Sequence, residues 1–134
     1  MTLARPLSGV KDTVQTDDAP AAVGAYSQAT TTDDLVFTAG QIPMTPDGTV
    51  LDSAPIAEQT ERALRNVEAV LEAAGAGMDD VLKVSVFLDD IDDFDGMNET
   101  YAGFFDDEPP ARSAVGVDAL PKGVAVEIEA VAVR

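Results

Sequence analysis

The sequence predicts an α+β domain: a mixed β-sheet with two helices covering one face. Three observations predict it. Residues 53–77 carry apolar side chains at the three-and-four spacing of one buried helix face. Residues 92–105 repeat that spacing between two β-rich runs, giving the order ββ(β)αβαββ in one domain without repeats or linkers. The last run, residues 124–133, alternates as a strand does, yet is mostly apolar on both sides, so its second face should pack against another subunit.

Each element has a local reason. Residues 1–15, with Pro6 and Gly9, read as an irregular extension, and "TDDAP" as a turn. "YSQATTTDDLVFTAGQI" holds two β-rich runs broken by Asp33-Asp34, a hairpin pattern, and the Asp47-Gly48 pair marks the next turn. In the long helix Ser53 can cap, Pro55 suits the first turn, and Gly75 or Gly77 can end it. Its inward stripe is Ile56, Thr60, Ala63, Leu64, Val67, Val70, Leu71 and Ala74. "DVLKVSVFL" is a strand with Leu82, Val84, Val86 and Leu88 on one side. The second helix turns Phe94, Met97, Tyr101 and Phe104 or Phe105 inward. "RSAVGV" and "VAVEIEAVAV" are the closing strands. The domain is taken as residues 14–134, after an extension of residues 1–13.

Composition removes several function classes. Among 134 residues, 25 are acidic and 8 basic, a net charge of −17. Such a surface repels nucleic acid and anionic lipid alike. The acids are spread along the chain in pairs, which suggests adaptation to high salt, where screening relieves self-repulsion. Neither a membrane span nor a signal peptide is legible, and cysteine is absent, so the expected compartment is the cytoplasm. With no histidine or cysteine, Ser-His-Asp and Cys-His nucleophiles and His/Cys zinc sites are not available. No glycine-rich phosphate loop is present. The Asp-rich "DDIDDFDGMNE" fails as a calcium loop, because Ile91 and Ala102 fall where its first and last ligands belong.

Carboxylates, hydroxyls, amides and a few arginines remain. Arg112 follows a double proline at the head of a strand, and a guanidinium can grip a carboxylate through two parallel hydrogen bonds. Glu127 sits among Val, Ala and Ile, where burial would raise its pKa and let it exchange protons near neutrality. The pattern alone favours an Arg112–Glu127 ion pair across neighbouring strands over an anion site.

Five motifs now stand in order: "GAYSQA" (24–29), "VFTAGQIP" (36–43), the segment 59–105, "PPARSAVGV" (109–117) and "LPKGVAVEIEAVAV" (120–133). Together they resemble the RidA/YjgF family of imine deaminases, also termed endoribonuclease L-PSP-like, over residues 14–134. The resemblance implies a chorismate-mutase-like fold assembled as a homotrimer, with the sheets forming a central barrel and three clefts between subunits. It implies hydrolysis of 2-imino or 2-enamino acids, such as 2-aminoacrylate, to a 2-keto acid and ammonia, without metal or organic cofactor. Carried over by motif, Arg112 binds the substrate carboxylate and Glu127 positions the attacking water. Tyr26 and Gly40 line the cleft, and Asn98 lies near the ligand or the interface.

Two departures from the family's motifs fall at the implied site. Ala39 stands where the family's "SGQ" has a hydroxyl, and Ala114 where "PARSCV" has a cysteine, leaving only its backbone N–H to help. A third, Ala25 for the proline of "GPYSQ", frees the backbone locally. The lost hydroxyl keeps open a second reading: a regulatory trimer that binds small carboxylates without turnover. A nuclease or translation inhibitor, roles also attached to the family, conflicts with the net charge and the missing histidines.

Overall fold

The apolar stripe of the long helix is buried as its spacing predicts, in a computed structural model that describes residues 11–134. Helix α1 (Ile56–Ala73) buries Thr60, Ala63, Leu64, Val67, Val70 and Leu71, with Ala74 just beyond its end, and half-buries Ile56. Ser53 does not cap it; Pro55 occupies the capping position with no side-chain hydrogen bond. The C-terminus closes through Gly75, at φ 86°: the Gly75 N–H donates to Glu72 O at 3.1 Å and the Ala76 N–H to Leu71 O at 2.9 Å. These are the paired bonds of a helix stop that needs a left-handed residue.

Six strands form one sheet: β1 (Asp12–Val14), β2 (Ala29–Thr31), β3 (Leu35–Thr38), β4 (Val81–Leu88), β5 (Ala111–Gly116) and β6 (Val126–Val133), in the order β1-β2-β3-β6-β4-β5. β4 and β5 are parallel and every other neighbouring pair is antiparallel. The parallel pair requires a crossover, supplied by α2 (Phe94–Ala102). α1 makes the longer crossover from β3 to β4 and packs on β6 and α2. Both helices therefore cover one face. The predicted α+β architecture, a mixed sheet with two helices, is the observed one.

Two local readings need correction. Asp12–Val14 is not irregular: it pairs with Ala29–Thr31 as an antiparallel edge strand. The rest of the expected extension, residues 1–10, lies outside the described residues. Leu82 does not join the buried side of β4. The pairing with β6 shifts between Val81 and Lys83, and this bulge leaves Leu82 49% exposed while Val81, Val84, Val86 and Leu88 stay inside. On α2, Met97 and Tyr101 are buried and Phe94 packs partly against the core, as do Phe104 and Phe105 just beyond its end.

On β6 the helical face is dry: Val126, Ile128, Ala130 and Ala132 are buried. The opposite face carries Glu127, Glu129, Val131 and Val133, beside Phe37 of β3 and Val115 of β5, which are 44% and 46% exposed. Among the described residues no helix is long and apolar enough to cross a membrane.

Candidate active site

Strand register decides which face each candidate residue takes, because residues directly opposite in neighbouring strands project to the same side. Arg112 pairs with Val84, and Val84 with Ala130, both buried beneath the helices. Glu127 pairs with Phe87, and Phe87 with Val115, on the open face. The ion pair that pattern alone favoured is therefore not formed. β4 separates the two strands, and the side chains leave the sheet on opposite sides.

Arg112 is held by α2. Its NH1 donates to Asn98 Oδ1 at 2.7 Å, and its Cζ lies 4.7 Å from the Tyr101 ring centre and 5.3 Å from that of Phe94. Phe94, Asn98 and Tyr101 follow at i, i+4 and i+7, so one helix face makes the whole cradle. The double proline ends the preceding loop, and β5 starts at Ala111, so the arginine enters at the second residue of an edge strand. A cavity of about 400 Å³, lined by Asn98, Tyr101, Phe105, Pro109, Pro110 and Arg112, opens beside it. Ala114, two residues on, pairs with Val86 and packs against the core.

Glu127 is served by a break in the β3–β6 ladder. Phe37 pairs with Val131, but the next bridge joins Gln41 to Ile128, so residues 38–40 oppose only residues 129–130. This bulge presses Gly40 onto Glu127. A Cβ at Gly40 would fall 2.9 Å from Glu127 Cδ and collide with Oε2, so a larger residue there would push the carboxylate out of this position. Ala39 precedes it, its N–H donating to Gln28 O at 2.8 Å. A cavity of about 370 Å³ takes its wall from Tyr26, Gln28, Gly40, Ile42, Lys122 and Glu127, but not from Ala39. Burial pushes the Glu127 carboxyl above its ordinary range, and the neighbouring Glu129 charge adds to the shift. Arg112 has no part in that shift, as its place on the other face requires.

The candidates thus fall into two groups. Glu127, Gly40 and Tyr26 meet in one cavity, whereas Arg112 and Asn98 meet in another. Among the described residues no three His, Cys, Asp or Glu side chains converge as they would around a metal ion.

The model of the endoribonuclease L-PSP family matches residues 16–134. The chain belongs to that family. It is 44% identical over 125 residues to the 2-iminobutanoate/2-iminopropanoate deaminase of Rattus norvegicus, covering 93% of this chain and 91% of that protein. Two solved Escherichia coli structures are also similar. The YjgF gene product is 45% identical with a TM-score of 0.87, covering 92% of this chain and 98% of that one. TdcF with bound serine is 42% identical with a TM-score of 0.87 and the same coverage.

Three side chains of this L-PSP family chain support the Glu127 cavity without having been singled out in the sequence. Gln28, fully buried, donates through Nε2 to Thr16 O and Pro20 O at 3.0 and 2.8 Å and accepts the Thr16 N–H at 2.7 Å, fixing the loop beneath Tyr26. Asn66, also buried, donates to Ile42 O at 3.1 Å and Met44 O at 2.8 Å, fixing the opposite wall. A signal for Asn66 existed: Gln59, Ala63, Asn66 and Val70 share one helix stripe, so a polar residue there had to be buried and satisfied. Lys122 is the third, and only its turn residues Pro121 and Gly123 announced it.

Proposed function

We propose that the protein hydrolyses small 2-imino acids, formed from their 2-enamine tautomers, to 2-keto acids and ammonia. The reading places the site between subunits of a chorismate-mutase-like homotrimer, with Arg112 of one subunit facing Glu127 of the next. One observation carries it: the anion clamp and the proton carrier stand on opposite faces of one sheet, each beside its own cavity. The two halves can meet only if a second copy supplies the missing one, and the apolar open face gives that copy a surface to bury.

The chemistry follows from the two environments. The guanidinium, aimed by Asn98 and stacked on Tyr101, takes the substrate carboxylate through charge-assisted hydrogen bonds. Glu127, with its proton affinity raised, accepts a proton from water as that water adds to the imine carbon. The product is a carbinolamine. Glu127 returns that proton to nitrogen, completing the amine, and then carries the carbinol O–H proton to the same nitrogen; the C–N bond breaks, ammonia leaves, and the carbinol oxygen becomes the keto oxygen. Positioning and one proton relay suffice because an imine is already electrophilic. The names of the rat deaminase and of serine-bound TdcF support a small amino-acid-like ligand.

The test is decay of 2-aminoacrylate, generated in situ, to pyruvate in molar salt. Wild type should accelerate it. Glu127→Gln should lower kcat by roughly 10²–10⁴-fold, the worth of a general base, while Arg112→Ala should act through KM. If folded wild type gives no acceleration but binds 2-keto acids, the protein is instead a carboxylate-binding trimer.

A further inference from the structure

Lys122 lines the Glu127 cavity, and the scheme above gives it no task. It sits between Pro121 and Gly123 at φ 57° and ψ 20°, a left-handed conformation that a residue with a Cβ adopts only under strain. Gly123 follows at φ 72°, so two successive left-handed residues turn the chain toward β6 and Glu127. Glycine would accept either position freely; a lysine occupies the first.

The arginines of the described chain are all engaged. Arg62 donates to Asn66, Arg65 pairs with Glu61 and Glu68, Arg112 donates to Asn98, and Arg134 donates to the Thr32 and Ala74 carbonyl oxygens. Lys122 has no hydrogen bond or ion pair among the described residues. Lys11 and Lys83 share that lack, so what sets Lys122 apart is its place on a cavity wall beside Glu127. Lys122 and Glu127 are the charged residues of that wall, and the Gln28 amide is already committed to its loop.

We propose that Lys122 selects imino acids whose side chain bears a second anionic group, a carboxylate being the simplest case. The proposal rests on the deaminase reading. There the first carboxylate is held by Arg112 of a neighbouring subunit and the imine carbon faces Glu127, so the side chain extends into this cavity. The ammonium, on its four-carbon stem, then meets the distal anion.

The experiment compares kcat/KM for the imines of glutamate and of 2-aminobutanoate, each formed in situ by an amino-acid oxidase. It uses wild type, Lys122→Gln and Lys122→Arg. Gln keeps the Cβ and hence the backbone strain of the turn. The ratio favouring the two-carboxylate imine should fall about tenfold or more in Lys122→Gln, as loss of a charged hydrogen bond implies, and be retained in Lys122→Arg. An unchanged ratio, including an equal loss on both substrates, overturns the proposal, since it reduces Lys122 to a contributor to the general field. Calorimetric titration with 2-oxoglutarate and 2-oxobutanoate runs in parallel. If wild type turns over neither imine, the deaminase reading fails, and this titration decides for Lys122. A preference for 2-oxoglutarate that Lys122→Gln abolishes supports selection; equal affinities contradict it.

Discussion

Glu127 and Arg112 show how position within one sheet sets chemistry. Both are half-buried, but Arg112 enters a cradle of amide and aromatic rings, whereas Glu127 meets a backbone bulge and a second carboxylate. The Glu127 environment has a thermodynamic consequence. Its carboxyl is raised above the ordinary value of 4.5 by burial and by Glu129. The folded chain therefore binds that proton more tightly than the unfolded chain, so stability is lost as pH rises from the unfolded value through the folded one. Glu127→Gln removes this titration. Its Tm should exceed that of wild type at neutral pH, and the difference should vanish below about pH 4, where the unfolded carboxyl is also protonated. Melts of both proteins across that range check the sign; a neutral-pH loss of Tm would contradict it.

At the scale of elements, buried amides hold the loops that carry the site. Asn66 projects from α1 to the carbonyls of Ile42 and Met44. Asn66→Ala takes the donor from the Met44 carbonyl oxygen and leaves the Ile42 oxygen with only the Met44 N–H, and should cost about 1–3 kcal/mol. Denaturant melts measure that cost, and a larger loss of kcat/KM than of binding at the Arg112 half would locate the damage at the Glu127 wall. The elements themselves were largely legible, because α1, α2, β4, β5 and β6 each carry a clean period in the sequence. Leu82 was misread because a bulge resets the alternation, and bulges leave no mark in periodicity. Asp12–Val14 was missed because a three-residue edge strand has too few side chains to show a period; its partner strand defines it. The site was legible as residues but not as geometry. Arg112 and Glu127 were found, yet their separation by β4 depends on strand order, which local sequence does not encode.

For the whole molecule, charge and symmetry dominate. A net charge of −17 on 134 residues repels itself, and added ions screen that repulsion over about 10 Å at 0.1 M and about 3 Å at 1 M. The Tm should therefore climb as potassium chloride rises toward molar concentrations, and a flat profile would remove the case for salt adaptation. Symmetry bears on function more directly. The central claim is that one working site takes Arg112 from one subunit and Glu127 from another. Co-expression of Arg112→Ala with Glu127→Gln, assayed at substrate concentrations low enough that neither variant alone turns over measurably, tests it most directly. In randomly mixed closed trimers about a quarter of the inter-subunit sites receive an intact arginine and an intact glutamate. The mixture should recover about a quarter of wild-type turnover of 2-aminoacrylate. If both residues act from the same subunit, no mixed site is intact, and mixed trimers as inactive as either parent would contradict the account.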